Sequence, residues 1–419
     1  MISVKKERLT IKQISYRKIL FCPAQEGQRE KNRRRRRLFP DKRMATVYLH
    51  IGTMKTGTSA LQRFLSDNRE YLKQQGVLYP DLNQGMPERF RFRNGHFLVY
   101  EAGSNKEQDR QVDQKKVVEE AYRQIGMLAR KWDTIVLSEE LLWHYGEKKK
   151  NFWGDLAENL KKVGCDLKVI VYFRRQDALI ESLYVHTIKS NHKAIGEFSD
   201  YINGKSVQYF CLDYYSEIKE IERQIGKGKL DIHIYDKERF AGNPTGILSD
   251  FIEIFGLALD DNYKLHKKAR NAGLEGNFIE FKRVLNEIPE YQAGENFLSR
   301  PLVLASSVKE KGQIKERRGF FTLEGREEFL KRFEEGNRKL SEEYFGGVSL
   351  FSKPTDVPLW EINQETLWKD MVTAMGEMFC EQEKRLAALE AEWGGMKKEL
   401  NDIWFVKAYR KARNRLKKE

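Results

Sequence analysis

The sequence predicts an α/β protein: a parallel sheet flanked by helices, with a helical C-terminal extension. Three observations carry this. The apolar residues Val47, Tyr48, Leu49 and Ile51 read as a buried strand; after a glycine-containing turn, Leu61, Phe64, Leu65 and Leu72 recur at helical spacing. A second run over 167–173, rich in β-branched residues, ends at Arg174 and Arg175 and leads into another helical segment. Between them Thr134–Ser138 reads as a third strand with helical patterns on both sides, and such alternation builds parallel sheets.

In chain order, Gly76 is the expected stop of the first helix. Val77–Pro80 then opens a polar loop to about residue 110, containing Asn94, Gly95 and His96. Residues 114–130 and 152–163 read as helices around the strand at 134–138, which delivers Glu139 and Glu140 to its carboxyl end. Past residue 188, the expected elements are a helix over 209–226, a strand over 231–235 and helices over 245–255, 276–285 and 324–344. Pro354 and Pro358 mark a break, so the expected organisation is an arm (1–43), a main domain (44–358) and a helical extension (359–419). Residues 363–390 are helical in composition, with an irregular heptad pattern.

Of 419 residues, 40% are hydrophobic, enough for a sizeable core. The net charge of +14 invites a nucleic-acid reading, but its distribution argues against one. Residues 1–43 hold 15 Lys/Arg against 4 Asp/Glu, a net +11 that leaves +3 for the rest. Arg33 to Arg37 are consecutive, and like charges in such a block favour disorder. The arm reads as sequence upstream of a native start at Met44; the rival reading is a tether to nucleic acid or anionic membrane. The four scattered cysteines read as reduced thiols of a cytoplasmic protein, and no His or Cys spacing suggests a metal site.

The turn at 52–59 has the composition of an anion cradle. A strand, a glycine-containing turn and a helix N-terminus offer free N–H groups and the positive end of a helix dipole, and Lys55 adds a full charge. Gly52 and Gly57 are spaced as in ATP-binding loops, but Thr58 stands where those loops carry lysine. Lys55-Thr56-Gly57-Thr58-Ser59 resembles instead the 5′-phosphosulfate loop of sulfotransferases that use 3′-phosphoadenosine 5′-phosphosulfate (PAPS). The segment Phe173 to Tyr184 resembles the 3′-phosphate motif of that family, with Arg174 at the strand end and Ser182 two helical turns later. The resemblance covers roughly 44–350 and suits best the bacterial enzymes that sulfate sugars.

It implies a P-loop-like fold, PAPS as co-substrate with no metal required, and a cofactor site of Lys55, Thr56, Gly57, Thr58, Ser59, Arg174 and Ser182. Lys55 would also stabilise the leaving phosphate. It implies a glycan or glycolipid acceptor and a His or Glu base, for which Glu140, Glu139 and His96 are the candidates. The loop around Arg317 and Arg318 is a candidate cover for the 3′-phosphate. Two readings from other classes remain: an ATP-dependent kinase, and a non-catalytic nucleic-acid-binding protein using the basic arm. The last sixteen residues carry seven Lys/Arg and one Glu, with Phe405, Tyr409, Ala412 and Leu416 able to share a helix face, a pattern suited to peripheral contact with an anionic membrane.

Overall fold

The structure is a computed structural model that describes residues 44–82, 86–103, 112–145, 149–236, 240, 246–265, 273–309, 318–402 and 407–408. The basic arm, Arg317 and nearly all of the basic C-terminal segment lie outside the described residues. The elements in order are β1 (Ala45–His50), α1 (Thr58–Asp67), α2 (Phe97–Glu101), α3 (Gln114–Ala129), β2 (Thr134–Ser138), α4 (Phe152–Lys162), β3 (Cys165–Phe173), α5 (Gln176–Lys189), α6 (Tyr214–Ile225), β4 (Leu230–Ile234), α7 (Gly246–Glu253), α8 (Asn277–Leu285), α9 (Ser299–Lys309), α10 (Leu323–Lys331), α11 (Glu334–Tyr344) and α12 (Leu367–Asp402), with shorter helical turns between.

The four strands form one parallel sheet in the order β2-β1-β3-β4. Strand alternation sends Val47, Leu49, Ile135, Leu137, Val169 and Val171 into one apolar cluster and Val136, Ile170 and Tyr172 into another. Both faces are therefore covered, which is why the strands read as nearly continuous apolar runs. Leu78 lies along the outer edge of β2, exchanging hydrogen bonds with Thr134 and Val136 and capping that edge. The chain leaves β1 for β2 on one side, while β3 lies on the other. The switch point therefore falls between β1 and β3, where ligands of open α/β sheets bind.

One row of polar side chains crosses all four strands just below their carboxyl ends. His50 Nδ1 lies 2.9 Å from Ser138 Oγ, the rings of His50 and Tyr172 meet edge-on, and Tyr172 stacks on His233. His233 sits between Asp231 and Asp250, at 3.1 and 3.0 Å. Burial above all, with repulsion from His233, pushes His50 down to about 3; the two carboxylates outweigh the burial cost at His233 and lift it to about 9.

Several boundaries differ from expectation. The first helix breaks at Asn68, whose side chain donates to the carbonyls of Phe64 and Lys264, and a separate short helix, Arg69–Gln74, carries Leu72. The helix expected from residue 209 starts at Tyr214, where Asp213 accepts from the Ser216 N–H as its cap. The helix expected over 324–344 is two, divided at Arg332 and Phe333. No described helix is long and apolar enough to cross a membrane.

Candidate active site

The turn after β1 is stitched to β3. Tyr172 donates its N–H to the Gly52 carbonyl at 2.6 Å, and Thr53 returns its N–H and hydroxyl to the Tyr172 carbonyl at 2.9 and 3.2 Å. The Thr56 hydroxyl closes the turn on the Thr53 carbonyl at 2.6 Å. Gly52 has φ +102°, and a Cβ there would stand 3.1 Å from the Glu140 Cβ, so only glycine lets the turn pass this close to the end of β2. Lys55 also has positive φ, +64°, a conformation uncommon outside glycine. Gly57 precedes α1 at φ +83°; no side chain caps the helix, and its first turn carries no acidic residue. Thr58 is buried and Ser59 exposed, so the N-terminal end of α1 opens to solvent at Ser59.

At the end of β3 the arginine pair divides. Arg174 donates from Nη1 to the Lys55 carbonyl at 3.2 Å, which ties the two motifs together across the switch point. Arg175 turns away, pairing with Asp177 at 2.7 Å and donating to the Ser352 carbonyl. Asp177 in turn holds the buried Arg326 at 2.6 Å. Along α5, Ser182 is partly exposed and stands one turn before His186. Burial first, then the nearby Lys55 charge, pushes His186 down to about 4. Lys55 thus lies near both Arg174 and His186. Arg318 reaches Glu361 at 3.5 Å; the segment after it docks on α5, where Glu181, next to Ser182, accepts the Phe320 and Phe321 N–H groups.

At the end of β2 the two carboxylates also divide, as alternation requires. Glu139 is fully buried. It accepts from Arg93 Nε and Nη2, lies 2.8 Å from His96 Nδ1 and accepts the Leu141 N–H at 3.0 Å. Burial alone would raise this carboxyl, but Arg93 and His96 outweigh it and hold it at about 2. His96, expected on an open loop, is fully buried, stacked on Phe90 at 3.7 Å. The loop goes inside because Asn94 substitutes for water: it donates to the Pro80 and Val136 carbonyls and accepts the Ser138 N–H. Glu140 is partly exposed, lies against Gly52 and accepts from Gln62 Nε2 at 2.5 Å. The structure thus brings Glu140 to the turn and withdraws Glu139 and His96 into the interior.

Arg93, Gln62 and His186 escaped sequence reasoning. Gln62 had a readable signal, being one turn into the helix that follows the cradle. Arg93 did not, since its partner is 46 residues away. A recess of about 620 Å³ lies elsewhere, between α10, α11 and residues 347–354, with Arg175 on its wall; Arg175 is already committed to Asp177, and the recess holds none of the cradle residues. Among the described residues no group of three His, Cys, Asp or Glu side chains is placed to share a metal ion.

No family model matches the chain. An uncharacterized protein of Archaeoglobus fulgidus is 29% identical over 185 residues, 44% of this chain and 47% of that protein, so the chain spans about half the length of this curated relative. Among solved structures, a sulfotransferase from Alicyclobacillus acidocaldarius matches 52% of this chain and 86% of its own, with 14% identity and a TM-score of 0.35.

Proposed function

We propose that the chain is a sulfotransferase that moves a sulfuryl group from PAPS to an acceptor hydroxyl on a polysaccharide or glycolipid. The observation that supports it most is the hydrogen bond from Arg174 to the Lys55 carbonyl, which joins the two phosphate-type motifs at the switch point of the sheet. In this reading Arg174 and Ser182 hold the 3′-phosphate, Arg174 through its planar fork. The turn 55–59 holds the 5′-phosphate. As the acceptor oxygen attacks sulfur in line, the S–O bond to phosphate breaks, and Lys55 with the α1 N–H groups takes up the charge on the leaving oxygen. Glu140, oriented by Gln62, removes the acceptor proton as the new bond forms. Glu139, with Arg93 and His96, fixes the strand end that carries Glu140.

Calorimetry tests the nucleotide assignment: adenosine 3′,5′-bisphosphate should bind well above AMP. Equal affinities, or phosphate transfer from Mg²⁺-ATP, would overturn the reading in favour of a kinase or another nucleotide protein. Labelled PAPS with a panel of glycans then identifies the acceptor. We further propose that the basic C-terminal segment touches anionic lipid. Removing residues 404–419 should reduce co-sedimentation with phosphatidylserine vesicles and leave bisphosphate binding intact.

A further inference from the structure

The helix α12 is amphipathic the wrong way round for a lone domain. Its inward side is mixed: Ala374 and Asp370 are buried, with Asp370 accepting from Asn277 at 2.8 Å, Leu367 and Met378 are half-buried, and Glu381 meets Arg300 at 3.6 Å. From residue 382 to 400 every residue is exposed. A free helix is marginal in water, and Gly376, Gly394 and Gly395 weaken it further.

The outward side carries a heptad repeat. Val372, Phe379, Leu386, Trp393 and Leu400 stand at intervals of seven. Trp368, Met375, Gln382, Leu389 and Met396 form a second set, each four residues before a member of the first. All except Gln382 are apolar, and these apolar residues are 48–75% exposed. The expectation of an irregular heptad over 363–390 is thus corrected: Gln382 is one interruption in a repeat that continues through Trp393, Met396 and Leu400.

We infer that α12 forms a parallel two-stranded coiled coil with a second copy of this chain. A sustained 3.5-residue apolar repeat is the seam of a coiled coil. Charge selects the occupant and the direction. In a parallel, in-register pair the flank of one helix meets residues five further along the other. Arg385 then faces Glu390 of the second copy and Glu392 faces its Lys397, opposite charges in both cases. The single polar core residue, Gln382, sets register by pairing with itself. Arg385 is 52% exposed, 4.0 Å from Glu295 and 5.7 Å over the Phe297 ring, two surface contacts that it exchanges for Glu390 when it turns outward.

Sedimentation velocity of the full chain at micromolar concentration should give twice the 49.4 kDa chain mass. Leu386→Glu with Leu389→Glu should raise the dissociation constant at least about 100-fold, while the melting temperature of the sheet domain and bisphosphate binding hold. Arg385→Glu should weaken the dimer, and Arg385→Glu/Glu390→Arg should restore it. With Cys22 and Cys380 replaced by serine, Gln382→Cys should cross-link two chains under copper–phenanthroline oxidation. A monomeric parent overturns the inference. So does a dimer that resists the Leu386/Leu389 pair, or one in which Gln382→Cys fails to cross-link. Loss of vesicle binding by that pair in a monomeric protein would assign the stripe to lipid instead.

Discussion

The carboxyl ends of β2 and β3 flank the same central strand and use their charges differently. At β2, Glu139 is buried under Arg93, His96 and a backbone N–H, and its charge is consumed in fixing the chain. At β3 Arg175 pairs with Asp177, while Arg174 reaches the Lys55 carbonyl on the turn. Each strand thus ends in a doublet, Glu139–Glu140 and Arg174–Arg175, with one member anchoring and the other presented at the switch point. A doublet solves a geometric problem: side chains alternate, so a residue placed for chemistry has a neighbour facing the other way, and that neighbour can hold the backbone still.

Neutralising each member of the two doublets in turn separates the anchoring role from the presented one. The largest expected effect is on turnover. Glu140→Gln should cut it by roughly 10²–10⁴-fold with bisphosphate affinity nearly unchanged, whereas parental turnover would remove Glu140 from the proton transfer. Glu139→Gln should act on stability, costing about 3–5 kcal/mol in denaturant titration because Arg93 loses its buried partner. If it left stability intact and abolished turnover, the anchoring and presented members would have to be exchanged. Arg174→Ala should reduce the preference for bisphosphate over AMP by about 10–100-fold, with Arg175→Ala losing stability rather than preference.

A further test lies in the pH dependence of stability. Glu139 is held at about 2, below its ordinary 4.5, so its contribution is complete above 4.5 and drains away as pH falls through about 2. His233 is lifted from 6.5 to about 9, so its contribution is complete below 6.5 and is lost as pH rises through about 9. Thermal melts across pH should lose the acid limb in Glu139→Gln and the alkaline limb in His233→Gln.

The sheet was legible because burial on both faces writes itself into the strands as unbroken apolar runs, as at 167–173. The strand-to-helix turn at 52–57 was legible because its glycine spacing is local. Arg174 was named from the resemblance, and the structure turns it to the Lys55 carbonyl; the anchoring of Arg175 on Ser352 was not legible, since that residue lies 177 positions away. The burial of His96 was hidden for a related reason. A stretch that looks polar goes inside only if its hydrogen bonds are met there, and Asn94 meets them with groups at Pro80, Val136 and Ser138. Asn68 shows the same limit on a small scale, ending a helix through a carbonyl at Lys264.

The polar row beneath the site offers a spectroscopic handle. His50 and His233 flank one tyrosine ring, yet one imidazole is held neutral and the other cationic at neutral pH. In a ¹⁵N-resolved spectrum they should behave as opposites: His50 silent through the range where exposed histidines titrate, His233 turning over only in mild alkali. Tyr172 also carries the carbonyl and N–H that hold the turn at Gly52 and Thr53. Closure of that turn on an anion should therefore shift both imidazole signals together, reporting occupancy without any label at the site.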